Sequence, residues 1–181
     1  MSENEQKKIL GEERRQLILH WLMETEKPLS GGELSKKTNV SRQVIVQDIS
    51  LLKARNEPII ATAQGYLYVR PLAPKQRFER VIACMHRPEQ VEQELTILVD
   101  HGVTIRDVKV EHPVYGDLTA PIFVSTRNEA AEYLKKIKET NAAYLSQLTG
   151  GIHLHTIEAD SIRKLDDACR ALDAAGFLVE D

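Results

Sequence analysis

A chain of 181 residues and 20.5 kDa holds one large domain or two small ones and can bury a core without disulfide staples. Its composition, 42% hydrophobic and 28% charged, is that of a globular protein, and no apolar run nears the roughly 20 residues of a membrane span. Two cysteines cannot form a disulfide framework, so the chain reads as cytoplasmic and without a membrane partner. The net charge of −3 argues against a uniformly basic nucleic-acid binder, but it hides a division. Residues 1–75 carry 12 Lys/Arg against 9 Asp/Glu, a net of +3, whereas residues 76–181 carry 12 against 18, a net of −6. Pro71 and Pro74 oppose helix and central strand at the seam. The chain therefore divides into an N-terminal module over 1–70, a linker over 71–76 and a C-terminal module over 77–181.

The first predicted element is an amphipathic helix over 12–26, with Leu17, Ile18, Trp21 and Leu22 in one arc and Glu13, Arg14 and His20 outside it. Pro28 ends it. Ser30, with Glu33 three residues later, forms a capping box for a short second helix that carries Leu34 inward. After the turn Thr38-Asn39-Val40, Ser41 caps a third helix reaching about Arg55. Ile45, Ile49 and Leu52 share one face of that helix. The opposite face presents Gln43, Val46, Gln47 and Ser50, with Ser41 and Arg42 at its start. Glutamine can bond both N6 and N7 of adenine in a major groove, and arginine can hold a phosphate or a guanine.

Two short strand-like runs, 58–61 and 66–69, flank Ala63-Gln64-Gly65 and complete the order of a winged helix-turn-helix, with Gln64 at the wing. This order and the local positive charge make residues 1–70 a DNA-binding module. The stretch "NVSRQVIVQDISLLKARNEPIIATAQGYLY" resembles the winged helix-turn-helix that begins many bacterial repressors, including the biotin repressor.

From Phe78 the periodicity predicts a strand over 78–86, then a helix opened by Pro88 and stopped by Gly102. Strands follow over 104–111 and 118–125. Ser125 or Thr126 then caps a long helical stretch over 128–148, which Asn141 interrupts. Gly150-Gly151 precedes a strand over 152–158, Asp160 caps a helix to 175, and residues 177–179 form a last short strand. The order β-α-β-β-α-β-α is that of a two-layer α/β sandwich on a largely antiparallel sheet (HPr-like), so the whole chain is α+β.

The chemical signal in this half is His153-Leu154-His155. On a strand the two imidazoles point to one side, close enough to share an ion, and imidazole suits zinc, nickel, copper or iron. His86, near a strand end, is a further candidate. Alternation leaves the buried face open, because Ile157 lies on the histidine side and Ile152 and Leu154 on the other. Cys84 and Cys169 read as small core residues, and His101 as a cation at a helix end.

The stretches "VIACMHRPEQVEQEL", "VEHPVYGDL" and "LTGGIHLHTIEA" make residues 77–181 similar to the 3H domain, a ligand-binding module named for its histidines. Joined to the helix-turn-helix, the chain resembles the niacin-responsive repressors of NAD biosynthesis and uptake, the NiaR or YrxA family. That resemblance implies one divalent transition metal per chain, nickel or zinc-like, held by His86, Glu94, His153 and His155. Periodicity does not choose Glu94 over Glu92, since both border the apolar stripe of Val91, Leu95, Leu98 and Val99. It also implies a non-enzymatic repressor that binds operator DNA as a homodimer and takes nicotinic acid as co-repressor.

The segment 112–116 reads equally as a strand end with its turn or as an effector contact through His112 or Tyr115. Arg87 is a weaker candidate for an effector carboxylate. Two other functions stay open. In one, the metal itself is the signal to a metal-sensing regulator. In the other, a metal-dependent hydrolase is fused to a DNA-binding module, but no spare acid or base stands beside the histidines.

Overall fold

The structure, a computed structural model, describes residues 10–69 and 77–179. The predicted linker over 71–76 lies outside the described residues. The chain divides into two compact units, Met1–Pro71 and Leu72–Asp181.

In the first unit, α1 (Gly11–Glu24), α2 (Gly31–Thr38) and α3 (Arg42–Ala54) precede a hairpin of β1 (Ile59–Thr62) and β2 (Gly65–Tyr68). Ile18, Leu22, Leu34, Ile45, Ile49, Leu52 and Ile59 form the core, with Trp21 and Tyr66 packed at its edge. Each Leu or Ile so buried contributes about 1.5–3 kcal/mol over an exposed one. The capping box on α2 is formed: Ser30 Oγ accepts from Glu33 N at 3.1 Å, and Ser30 N donates to Glu33 Oε2 at 2.7 Å. Asn39 takes the left-handed conformation between α2 and α3, with φ 51°, and the Ser35 hydroxyl donates to Val40 O. Gly65 has φ +141°, and a Cβ there would lie 2.5 Å from Leu29 O. That close approach lets Leu29 pair with Tyr66 through two backbone bonds of 2.8 and 2.9 Å, seating the hairpin against the helices.

One expectation about α1 fails. Arg14, placed outside the buried arc by its charge, is buried with Asp48 of α3. Its Nε and Nη2 donate to Asp48 Oδ2 and Oδ1 at 2.6 and 3.2 Å, and Arg15 Nη1 donates to Oδ1 at 3.2 Å. The carboxylate satisfies the guanidinium that the apolar pattern would exclude. Leu17 and Trp21 are correspondingly only half-buried.

In the second unit, β3 (Phe78–Met85) leads through a 3-10 turn (Pro88–Gln90) into α4 (Val91–Asp100). Then come β4 (Thr104–His112), β5 (Gly116–Val124), α5 (Arg127–Thr140), a 3-10 segment (Leu145–Thr149), β6 (Ile152–Ala159) and α6 (Ile162–Ala174). The sheet order is β3-β6-β4-β5 with every pair antiparallel, the two-layer α+β arrangement expected. Leu178 bridges Cys84 on the outer side of β3. Helix α4 packs against α5, α6 and β4, and α6 packs on β6.

The long stretch over 128–148 is interrupted where expected: Asn141 adopts φ 50° and closes α5, and the chain resumes as the 3-10 segment. One cap differs. Helix α6 is capped by Ser161, whose side chain accepts from Lys164 N, rather than by Asp160, which instead pairs with Lys164 Nζ at 2.8 Å. Alternation along β6 resolves as His153, His155 and Ile157 inward, leaving Ile152 and Leu154 on the outer face.

Candidate metal centre and nucleic-acid interface

Helix α3 presents Ser41, Arg42, Gln43, Val46, Gln47 and Ser50 to solvent, while Ile45, Asp48, Ile49 and Leu52 face inward. Ser41 Oγ accepts from Val44 N at 3.4 Å, and the Ser50 hydroxyl donates to Val46 O at 2.9 Å. Arg42, Gln43 and Gln47 thus stand together on the exposed face of the second helix of a helix-turn-helix, the element that enters a major groove. Gln64 sits in the two-residue turn of the hairpin, half-buried, with its N–H donating to Thr62 Oγ1 at 3.1 Å.

The second unit gathers His86, Glu94, His153 and His155 into one buried cluster. Glu94 is only 1% exposed, whereas Glu92, its rival in the sequence, faces solvent. His86 follows the end of β3, and His153 and His155 point inward from the neighbouring β6. Glu94 reaches down from the first turn of α4. Gly151 explains the glycines that precede β6: with φ +103°, it brings its Cα so near β3 that a Cβ would lie 2.6 Å from His86 O.

The hydrogen bonds orient all three rings alike. His86 Nδ1 donates to Arg87 O at 2.9 Å, His153 Nδ1 to Gly151 O at 2.9 Å and His155 Nδ1 to Asp107 O at 2.7 Å. A carbonyl only accepts, so each Nδ1 carries a proton and each Nε2 turns to the carboxylate. The Nε2 atoms of His86, His153 and His155 lie 2.8, 3.3 and 3.4 Å from Glu94 oxygens. The last is charge contact without hydrogen-bond geometry, and His155 Nε2 is buried with no hydrogen-bond partner.

The carbonyl that locks His155 comes from a β-bulge. The register of β4 shifts between Ile105 and Asp107, and Phe123 opposite takes φ 51°, a value bulky residues rarely adopt. Asp107 Oδ1 then accepts Thr156 N at 2.9 Å, and its carbonyl is free for the imidazole.

Burial by itself would raise the pKa of Glu94. The charge of His155 and the close contacts of His153, His155 and His86 outweigh it and hold the carboxyl well below its ordinary range. Burial opposes charge on His86 and His155 too, but Glu94 raises both. Cys84 lies on the same inner face, directly opposite His153, and burial together with the Glu94 charge pushes its thiol up.

Three imidazoles with their second nitrogens tied to carbonyls, aimed at one carboxylate, are residues that could hold a transition metal. The orphaned His155 nitrogen fits the same reading, because a buried polar atom ordinarily has a partner. A void of about 20 Å³ beside Glu94, His153 and His155 has room for an ion or one water. Next to it an open cleft of about 570 Å³ is lined by His86, Arg87, Gln90, Ser146, Gln147 and Gly150.

Of the candidate effector residues, Arg87 borders this cleft. His112 and Tyr115 stand instead in the β4–β5 turn, stacked on each other with centroids 4.9 Å apart, and Tyr115 is 73% exposed. Val114 N and Tyr115 N both donate to His112 Nδ1, which accounts for His112 within the turn. His101 donates from Nδ1 to Ile97 O at the end of α4.

Two features escape the sequence pattern, the Arg14–Asp48 pair and the bulge at Asp107, whereas Cys84 is the small core residue expected. The aspartate in "SRQVIVQDI" was the one available signal. No helix among the described residues is long and apolar enough to cross a membrane.

Comparison with known proteins places these features in a family. Residues 79–181 match the 3H domain and residues 14–67 match an HTH domain. The chain is 60% identical over 178 residues to the transcription repressor NadR of Bacillus subtilis, covering 98% of this chain and 99% of that one. It is 38% identical over 174 residues to the probable transcription repressor NiaR of Thermotoga maritima, covering 96% and 98% of the two chains. An uncharacterized protein of Methanothermus fervidus is 27% identical over 108 residues, which are 17% of its length. These full-length relatives are named as repressors rather than enzymes. With its helix-turn-helix joined to a 3H domain, the chain belongs to the NadR/NiaR family of DNA-binding transcription repressors.

Proposed function

We propose that this repressor senses nicotinic acid through its 3H domain, with one divalent transition metal held by His86, Glu94, His153 and His155. The observation that carries the proposal is the buried His155 Nε2 without a partner, set among two further imidazoles locked in the same tautomer. The metal would supply a Lewis-acidic anchor for a pyridine nitrogen or a carboxylate.

The void beside Glu94 is too small for a pyridine ring, so the effector approaches through the open cleft. Arg87 at its edge offers a planar pair of donors to a carboxylate, and Gln90 and Gln147 line the same space with amides. On α3, Arg42, Gln43 and Gln47 read the operator, Ser41 and Ser50 flank them, and Val46 offers an apolar contact to a thymine methyl. Gln64 in the wing contacts the backbone of the DNA. A helix-turn-helix unit covers one half-site, so the functional species is a homodimer in the cytoplasm.

Effector binding changes operator affinity only if it favours one arrangement of the two DNA-reading units over another. A titration of labelled operator tests this. Metal-loaded protein binds tighter as nicotinate is added, and Arg87→Ala blunts the response without loss of metal. Operator affinity unchanged across added nicotinate contradicts the proposal. Full affinity with metal alone, unaltered by nicotinate, identifies a metal sensor instead.

A further inference from the structure

We infer that the Cys84 thiol is a further donor to the same ion, so that the centre binds metal through sulfur as well as nitrogen and oxygen. The inference rests on the metal reading above. Cys84 is fully buried on the inner face of β3, two residues before His86 and directly across the sheet from His153. A strand turns alternate side chains to one face, so Cys84 and His86 both rise from the sheet toward Glu94. The donor atoms of Cys84, Glu94 and His153 all lie within 4.8 Å of one another.

Bonds of about 2.0–2.3 Å put neighbouring ligand atoms of one shell roughly 3–3.7 Å apart, so a small adjustment brings these donors onto one ion. The unpartnered His155 Nε2 borders the same buried space and points to a ligand there. Cys169 provides the contrast. It sits on α6, half-buried, with Arg80 Nη1 3.4 Å from its sulfur, and it is not among the three converging donors.

The chemistry balances without a redox partner. The S–H bond breaks, a sulfur–metal bond forms, and the proton leaves to solvent. A bound divalent ion stabilises the thiolate that burial and Glu94 otherwise disfavour. A sulfur donor also narrows the choice of metal, since thiolate suits zinc, cobalt or nickel over magnesium or manganese.

The test uses the full chain, stripped with chelator and reloaded with Co(II) and, separately, Ni(II). Wild type and Cys169→Ser show a strong sulfur-to-metal charge-transfer band in the near ultraviolet. Cys84→Ser and Cys84→Ala lose the band, with metal affinity reduced at least about tenfold. X-ray absorption at the metal edge of unaltered protein supplies a readout independent of folding in the variants, with a sulfur scatterer near 2.3 Å. One bound metal with no sulfur scatterer and no band overturns the Cys84 assignment and leaves the histidine–glutamate site standing. A band that survives Cys84→Ala overturns it too. Failure to bind any metal overturns both readings.

Discussion

Each half of the chain buries a carboxylate, and the two are treated differently. Asp48, 2% exposed, meets Arg14 and Arg15 across α1 and α3, with both of its oxygens bonded by guanidinium nitrogens. Arg15 Nε finds no partner, but the charge of the carboxylate is answered within the unit. Glu94 is buried as deeply among three imidazoles, which compensate it only if one of them takes a proton. Each imidazole presents its Nε2, and that of His155 is unbonded. The first arrangement is complete and holds two helices together. The second has no fixed positive partner of its own, and the proposed cation would supply one.

The strongest test of this contrast removes ligands. His153→Ala combined with His155→Ala abolishes metal retention by elemental analysis and removes the thermal stabilisation that metal confers on the second unit. DNA binding by the first unit is preserved when measured on nonspecific duplex at low salt. Metal retained by the double variant would move the site elsewhere.

At Asp48 the expected cost is to folding. Asp48→Ala leaves Arg14 buried without its partner and destabilises the first unit by about 3–5 kcal/mol, while metal stoichiometry stays unchanged. Denaturant unfolding with a probe on Trp21 reads this directly. A loss below about 1 kcal/mol would place the pair among exposed ones of little worth.

A smaller effect is expected at the operator. Gln47→Ala weakens specific binding by about 1–3 kcal/mol if its amide reads a base, with little change on random DNA. An equal loss on both duplexes argues against base reading.

The smallest effect concerns pH. Hydrogen bonds from Arg55 and Arg15 hold Glu12 down to about 2, against an ordinary value of 4.5. A depressed carboxyl contributes stability that is fully present above its unfolded value. That contribution is lost as the pH falls from about 4.5 toward 2, so Glu12→Gln lowers stability slightly at neutral pH, leaves it unchanged near pH 2 and thereby flattens the acid limb of the stability curve. An unchanged acid limb would show that these exposed pairs are screened by solvent.

What could be read beforehand was local. Ser30 and Glu33 stand three apart in the chain, and their capping box formed as written. The exposed side of α3 followed from its apolar positions at 45, 49 and 52. The inward histidines were not decided by alternation, because apolar side chains flank them on both faces of β6. What settles the face is α4, whose Glu94 must meet them, and no periodicity separates Glu94 from Glu92.

Arg14 was misplaced for a related reason. Hydrophobic patterning treats a charge as outward, and only the partner 34 positions away reverses that. The bulge that frees Asp107 O depends on pairing of β4 with both β5 and β6, which no local signal carries.

The most direct measurement is a calorimetric titration of Ni(II) or Zn(II) into chelator-treated wild type and Glu94→Ala. The prediction is one tight equivalent per chain in the wild type and none in the variant. No binding to the wild type, or equal binding to both, would contradict it.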